Sequence, residues 1–290
     1  MTRRRAIGWL ILVSFVWGSG FAFTKQALDA ISPLVYMALR FGLAAALIAH
    51  TLRHASWPEV RAGLVLGALF WTGFVFQTVG LTITTPSRSA FITSLSSILV
   101  PAVALAAHRT VPGKFIVWAI VLATGGMYFL TAPAGGGINN GDILTLGCAF
   151  IFAGHIVAAA YYAQRFNAAR LLALQLGLSA ALSIAAAPLL ETPRLVPTVP
   201  AIAIVVLMAI TGLWSFYMQF RAQRHLTPSD AGLVFMLEPV FATVTSFVLV
   251  GERFTALQWF GGLLILAALA VPVLGERWST SGRSLDYEQA

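Results

Sequence analysis

Two charged side chains lie deep inside apolar stretches of this chain and are the strongest candidates for chemistry. Arg40 and Glu238 are each flanked by mainly apolar residues over several helical turns. A charge at membrane depth costs about 2.5–3.5 kcal/mol on insertion scales, so such residues usually face a protein interior and find partners. We predict that both bind a substrate. The structural alternatives are that Arg40 satisfies carbonyls or reaches the membrane surface, and that the two pair with each other.

Uncharged polar residues occupy similar depths. Gln77 and Gln219 carry amides, which both donate and accept hydrogen bonds and therefore suit a zwitterion. The alternative for each is an interhelical hydrogen bond, worth about 0.6 kcal/mol in membranes. His155 either relays protons or donates a structural hydrogen bond. Ser94 either lines a cavity or bonds back to its own helix.

Aromatic side chains supply the third element of a candidate site, because their faces accept apolar or aromatic groups. Trp9, Trp57, Trp118 and Trp259 lie near predicted helix ends, where tryptophan is typical of the membrane interface. Trp17 and Trp214 lie deeper. The predicted substrate-binding residues are Trp17, Phe21, Arg40, Gln77, Ser94, His155, Trp214 and Glu238.

Other kinds of chemistry lack the residues they need. Cys148 is the single cysteine, and the five histidines are scattered without metal-ligand spacing. Nucleophile-elbow, zinc-protease and ATP-binding motifs do not occur. We therefore expect no metal, no cofactor and no enzymatic activity.

Composition identifies the environment of the chain. Of its 290 residues, 59% are hydrophobic and 10% charged, and the mean hydropathy is +0.85. Soluble domains are about 45–50% apolar and about 25% charged. An all-α integral membrane protein is predicted, since a spanning helix needs about 20 apolar residues. Ten segments qualify: 6–25, 33–52, 62–81, 87–107, 112–131, 142–162, 168–188, 200–220, 229–250 and 255–275.

The distribution of basic residues tests this count. With a cytoplasmic N-terminus, thirteen of the 18 Lys and Arg residues fall in cytoplasmic loops and tails and four on the opposite side. Arg40 lies within a span. This asymmetry follows the positive-inside rule and places both termini in the cytoplasm, in a bacterial inner membrane. The net charge of +8 therefore indicates topology and not a nucleic-acid partner.

The two halves of the chain resemble each other. At an offset of 142, Gln77 matches Gln219 and residues 85–87 match residues 227–229; at an offset of 135, Arg40 matches Gln175. Each half has five spans, so the halves have opposite orientations in the membrane. Inverted repeats are typical of secondary transporters with a midplane site. The predicted repeats are 6–131 and 142–275, joined by a Gly/Asn-rich linker at 134–141 and followed by a polar tail, 276–290.

Two prolines fall inside spans that hold equivalent places in the repeats, although the prolines themselves are not aligned in register. Pro101 lies in the fourth span and Pro239 in the ninth. Proline removes an intrahelical hydrogen bond and kinks a helix. We predict that they act as paired hinges for alternating access.

Several short motifs carry a family resemblance: Trp17-Gly18-Ser19-Gly20-Phe21, Ala38-Leu39-Arg40-Phe41, residues 90–95 leading to Pro101, Leu237-Glu238-Pro239-Val240, and Gly251-Glu252-Arg253. In this order, the chain resembles the EamA type of the drug/metabolite transporter superfamily from residue 6 to about 275. The resemblance implies ten helices in two inverted five-helix repeats forming a basket around a central cavity. Among such proteins it is most similar to YddG-like exporters of amino acids, especially aromatic ones.

The predicted function is export of small metabolites, amino acids including aromatic ones, by alternating access at a midplane cavity. The serious alternative is an importer or exchanger of another metabolite or drug. A nucleotide sugar would need several cavity cations, whereas only Arg40, with Lys25 and Arg88 at the outer rim, qualifies. A channel and an intramembrane enzyme are disfavoured. The expected partners are a small-molecule substrate and the lipid bilayer, with the chain a monomer or weak dimer.

Overall fold

Helices account for nearly all of the regular structure of the protein. A computed structural model describes residues 1–108, 113–130, 139–249, 251–268 and 270–271. Within these ranges, the only β-bridge joins Ile31 to Leu195. Helices satisfy their own backbone groups, as a hydrocarbon environment requires. They are α1 Arg3–Leu28, α2 Pro33–Ile48, α3 Trp57–Ile83, α4 Pro86–His108, α5 Lys114–Leu130, α6 Asn140–Ala163, α7 Ala168–Leu190, α8 Val199–Gln223, α9 Pro228–Phe235, α10 Glu238–Leu249 and α11 Ala256–Ala268, with a 3-10 turn at Ala49–His54 after α2.

Eight helical segments are long and apolar enough to cross a membrane, which confirms the all-helical membrane architecture. α9 and α10 together form one of these segments, Pro228–Leu249. The described parts of the predicted fifth and tenth spans are the shorter helices α5 and α11. The count of ten spans stays a prediction. The tail 276–290 and most of the linker 134–141 lie outside the described residues.

Three helices begin with a capping box, in which the first residue and an acid three positions later satisfy each other's backbone N–H groups. Ser56 and Glu59 cap α3, Asn139 and Asp142 cap α6, and Thr227 and Asp230 cap α9. Thr255 and Gln258 form the same motif at the start of α11, with an amide in place of the acid. These short polar motifs set the helix starts, because they replace the missing intrahelical partners of the first turn.

The same three acids also join neighbouring helices. Glu59 accepts from Arg170 Nε of α7 at 2.9 Å. Asp142 pairs with Arg88 of α4, and Asp230 accepts from Arg3 of α1 at 3.1 Å. Each carboxylate thus satisfies a helix start and a basic side chain at once, and holds two helix ends together.

Lys25 has a structural role at the other end of α3. Its Nζ donates to the carbonyls of Leu81, Thr82 and Thr84 at 2.7, 3.0 and 3.1 Å. These carbonyls are the unsatisfied acceptors of the last turn, where a positive charge also complements the helix dipole. Lys25, which was expected at the outer rim of the cavity, therefore caps the end of α3.

Small residues allow the closest helix contacts. α1 packs on α8 and α10, α3 packs on α6 and α7, and α2 packs on α7. At Gly18 of α1, an added Cβ would lie 2.5 Å from the Glu238 carbonyl oxygen and 2.9 Å from the Ala242 nitrogen of α10. Close backbone approach at small residues is the usual basis of helix association in membranes.

We predict that Gly18→Ala lowers the stability of the protein, because the methyl group meets backbone atoms of α10 that cannot move without separating the helices. The expected loss is about 1–3 kcal/mol, typical of an overpacked core. It would appear as a lower midpoint of thermal unfolding in detergent. Gly8→Ala in the same helix is the control, since no atom lies within 4 Å of its added Cβ. Equal midpoints for the two variants would contradict the prediction.

Candidate functional site

A cavity lies among α1, α2, α3, α4, α6, α8 and the junction of α9 and α10. Its volume is about 80 Å³, counted as space open to the centre of a water molecule. This is enough for several waters or a small solute. Its walls are mostly aromatic and apolar, with a few polar groups that converge from different helices, which is typical of small-molecule sites.

Arg40 reaches the cavity from α2 and is held by aromatic rings. Its guanidinium carbon lies 6.0, 5.2 and 5.5 Å from the ring centroids of Tyr36, Phe41 and Phe74. Cation–π attraction is strongest where water is excluded, which explains how this buried charge is accommodated. Its Nε has no hydrogen-bond partner. The guanidinium is therefore stabilised without being neutralised.

Glu238 is the first residue of α10 and reaches the cavity from the second half of the chain. The residue is buried, and none of the hydrogen bonds and ion pairs among the described residues involves its carboxylate. It forms no ion pair with Arg40, so the mutual pair considered from the sequence does not occur here. One basic and one acidic side chain thus line the same cavity, each without a protein counter-ion among the described residues.

The predicted kink at Pro239 is a complete break in the helix. α9 ends at Phe235 and α10 begins at Glu238, with a turn between them. Pro239 has no N–H, and its ring crowds the carbonyl four residues earlier, that of Phe235. Ser14 Oγ of α1 lies 2.9 Å from the Leu10 carbonyl of its own helix and 3.3 Å from the Val234 carbonyl, so its one proton is shared between the two acceptors. Pro101, by contrast, lies within the continuous helix α4.

Two neutral polar side chains on the cavity wall, Gln77 and His155, are bonded to neighbouring helices. Gln77 Nε2 of α3 donates to Thr93 Oγ1 of α4 at 3.1 Å. His155 Nε2 of α6 lies 2.8 Å from Gln175 Oε1 of α7. Gln219 lines the cavity with its buried Oε1 unpartnered. Gln77 therefore makes an interhelical hydrogen bond and also lines the cavity, although the sequence analysis treated these as alternatives.

Aromatic residues form most of the remaining wall. Trp17 contacts Phe216 and Phe235 with ring centroids 5.3 and 5.1 Å apart, and its indole N–H donates to Ser215 Oγ at 3.0 Å. Phe70 meets Phe216 edge to face at 4.8 Å. Such contacts fix the ring orientations and present a rigid apolar surface.

The structure brings six of the eight predicted substrate-binding residues to this one cavity: Trp17, Phe21, Arg40, Gln77, His155 and Glu238. It places the other two elsewhere. Ser94 donates to the Ala90 carbonyl of its own helix at 2.8 Å, and Trp214 packs edge to face on Trp9 at 6.0 Å.

Helical spacing explains both departures. Thr93 and Ser96 line the cavity and are three residues apart, whereas Ser94 is one position off that face. The same spacing would have found residues that the sequence reasoning did not single out. Phe70, Phe74 and Gln77 follow at intervals of four and three residues, as do Gly212, Phe216 and Gln219, and each of these two sets lines the cavity.

Comparison with known proteins identifies the family. The model of the EamA-like transporter family matches residues 4–132 and again residues 139–274. A protein of Archaeoglobus fulgidus, described as an uncharacterized transporter, is 32% identical over 265 residues, which cover 90% of this chain and 83% of that protein. A solved structure, described only as the crystal structure of a protein, aligns with a TM-score of 0.78 and 21% identity over 95% of this chain and 99% of its own; this likeness concerns the fold alone. The chain is a multi-pass membrane protein that belongs to the EamA-like transporter family.

Proposed function

We propose that this protein is a secondary transporter that exports small metabolites, amino acids including aromatic ones, by alternating access at the central cavity. The observation that carries the proposal is an aromatic-walled cavity in which the Arg40 guanidinium and the Glu238 carboxyl group both lack counter-ions among the described residues. A buried charge without a partner is expensive in a membrane, and such positions usually belong to substrate pathways.

The proposed architecture has ten spanning helices in two inverted repeats, 6–131 and 142–275. Two matches of one family model along the chain support it. The helix contacts also follow a two-fold pattern, because α3 packs on α6 as α8 packs on α1, and α4 packs on α6 as α10 packs on α1. Gln77 and Gln219, which correspond between the repeats, line the same cavity. The asymmetry of basic residues supports cytoplasmic termini in a bacterial inner membrane.

The charges of the cavity favour an amino acid over a polyanionic solute. Arg40 is the single Lys or Arg among the described lining residues. Lys25 is bound to the end of α3, and Arg88 pairs with Asp142. A nucleotide sugar would therefore meet one cation, whereas a zwitterion with an aromatic side chain would find both charges and a wall of rings.

The two proline sites support alternating access. Pro101 cannot donate to the Ser97 carbonyl one turn earlier. That carbonyl faces Gly232 of α9, where an added Cβ would lie 3.2 Å from it. The helix weakened by Pro101 thus packs against the helix that ends just before Pro239, so a change at one site reaches the other through direct contact.

Transport into proteoliposomes tests the proposal. Radiolabelled aromatic amino acids should be taken up saturably by the purified full-length protein without a pH gradient. Arg40→Gln should lower the initial rate by about tenfold or more, because a hydrogen bond to a charged group is lost. Arg53→Gln removes an exposed cation and is the matched control.

Two other outcomes would change the proposal. If the protein takes up drugs or other metabolites instead of amino acids, it is a transporter with a different substrate class. If uptake requires a proton gradient and is lost in Glu238→Gln, Glu238 is a coupling residue.

A second prediction concerns Gly212 of α8, which leaves room for the Arg40 guanidinium. An added Cβ would lie 3.4 Å from Arg40 Nη2 and 3.7 Å from its Nε. Gly212→Ala should displace the guanidinium slightly and weaken amino-acid binding by a factor of roughly three to ten, which corresponds to about 1.4 kcal/mol or less. Binding to the purified protein measures the effect. Gly177→Ala, whose Cβ meets nothing within 4 Å, should bind as the unaltered protein does.

A third prediction addresses the hinges. Pro101→Ala restores the missing backbone hydrogen bond in α4 and should stiffen it, so that the transport rate falls by about fivefold or more while equilibrium binding is retained. Pro188→Ala is the control, because Pro188 lies within α7 at an exposed position outside the cavity lining. An unchanged rate in Pro101→Ala would remove Pro101 from the mechanism.

A further inference from the structure

The two charges of the cavity break the correspondence between the repeats. Arg40 of the first repeat corresponds to Gln175 at the offset of 135, and Glu238 of the second corresponds to Ser96 at the offset of 142. All four residues are buried, and Ser96 lines the cavity together with the two charged residues. Each repeat therefore contributes one charge where the other repeat has a neutral residue, and the cavity has a fixed polarity.

The negative end of the cavity is more than a carboxylate. Pro239 deprives the Phe235 carbonyl of its donor four residues later. The backbone N–H groups of Met236 and Leu237 in the break donate to the carbonyls of Gly232, Leu233 and Val234, and not to that of Phe235. Phe235 and Glu238 both line the cavity. A carboxylate and a carbonyl that lacks its usual donor four residues later are two acceptors, which together suit the three N–H donors of a primary ammonium group.

The positive end has the complementary character. The Arg40 guanidinium is fixed by the rings of Tyr36, Phe41 and Phe74, and its Nε is an unsatisfied donor. A planar guanidinium with free donors is the preferred partner of a carboxylate. Because the rings hold it by their faces, its N–H edge stays available to a bound anion.

We propose that the cavity binds amino acids in one orientation, with the substrate carboxylate at Arg40 and the substrate ammonium at the α9–α10 break, between the Glu238 carboxylate and the Phe235 carbonyl. This assignment rests on the proposed amino-acid transport function. It adds that each charged residue recognises one defined group of the substrate, and that the broken helix is itself a binding element.

Equilibrium binding to the purified full-length protein tests the orientation at one fixed pH. The probes are phenylalanine, phenylalanine amide, which keeps only the ammonium charge, and 3-phenylpropionate, which keeps only the carboxylate. The unaltered protein should bind phenylalanine about tenfold or more tightly than either analogue, because each analogue forfeits hydrogen bonds to one charged group. Equal affinities for all three probes would overturn the assignment without any variant.

Two variants then separate the ends of the cavity. In Glu238→Gln, phenylalanine should lose its advantage over 3-phenylpropionate but keep its advantage over the amide. In Arg40→Gln, it should lose its advantage over the amide but keep that over 3-phenylpropionate. Asp29→Asn and Arg53→Gln remove exposed charges outside the cavity and should leave all ratios unchanged. Gel filtration and the midpoint of thermal unfolding establish that each variant is folded.

The outcomes distinguish the orientation from the function beneath it. Reversed selectivity in the two variants, or equal weakening of all three probes, would overturn the orientation while leaving amino-acid binding intact. If the unaltered protein binds none of the three probes, the proposed substrate class is wrong and the orientation falls with it.

Discussion

The cost of leaving a polar group without a partner in a hydrocarbon environment governs most of this structure. It explains why the described chain is almost entirely helical and why helix ends carry such dense polar contacts. Glu59, Asp142 and Asp230 each satisfy a helix start and a basic residue of another helix. Lys25 satisfies three carbonyls at the end of α3. The charged side chains at the helix ends thus hold the helices together.

Three exceptions to this rule meet at one cavity. The Arg40 Nε and the Gln219 Oε1 lack partners, and the Glu238 carboxylate has none among the described residues. Aromatic faces lessen the cost of the first of these by cation–π attraction, without using its hydrogen-bond donors. Polar groups without protein partners that converge on one cavity are what the proposed substrate-binding site requires.

The break at Met236–Leu237 connects the fold to this site. A proline in the middle of a helix interrupts backbone bonding, and a membrane tolerates the interruption only where protein groups or a cavity can compensate. The Ser14 hydroxyl of α1 reaches both its own Leu10 carbonyl and the Val234 carbonyl on one side, and the cavity lies on the other. The helix break therefore places the Phe235 carbonyl next to the cavity. The same break makes Glu238 the first residue of α10, so its carboxylate lies at the same place.

The sequence by itself determined the membrane environment, the helical class, most of the helix starts and six of the residues that meet at the cavity. These features depend on hydropathy, capping motifs and the high cost of buried charge, all of which are local. The absence of an Arg40–Glu238 pair, the capping role of Lys25, the full break at Pro239 and the positions of Ser94 and Trp214 depended on the tertiary structure. Each of these features depends on which face of a helix packs against which neighbouring helix. The sequence around a residue does not reveal its packing partners.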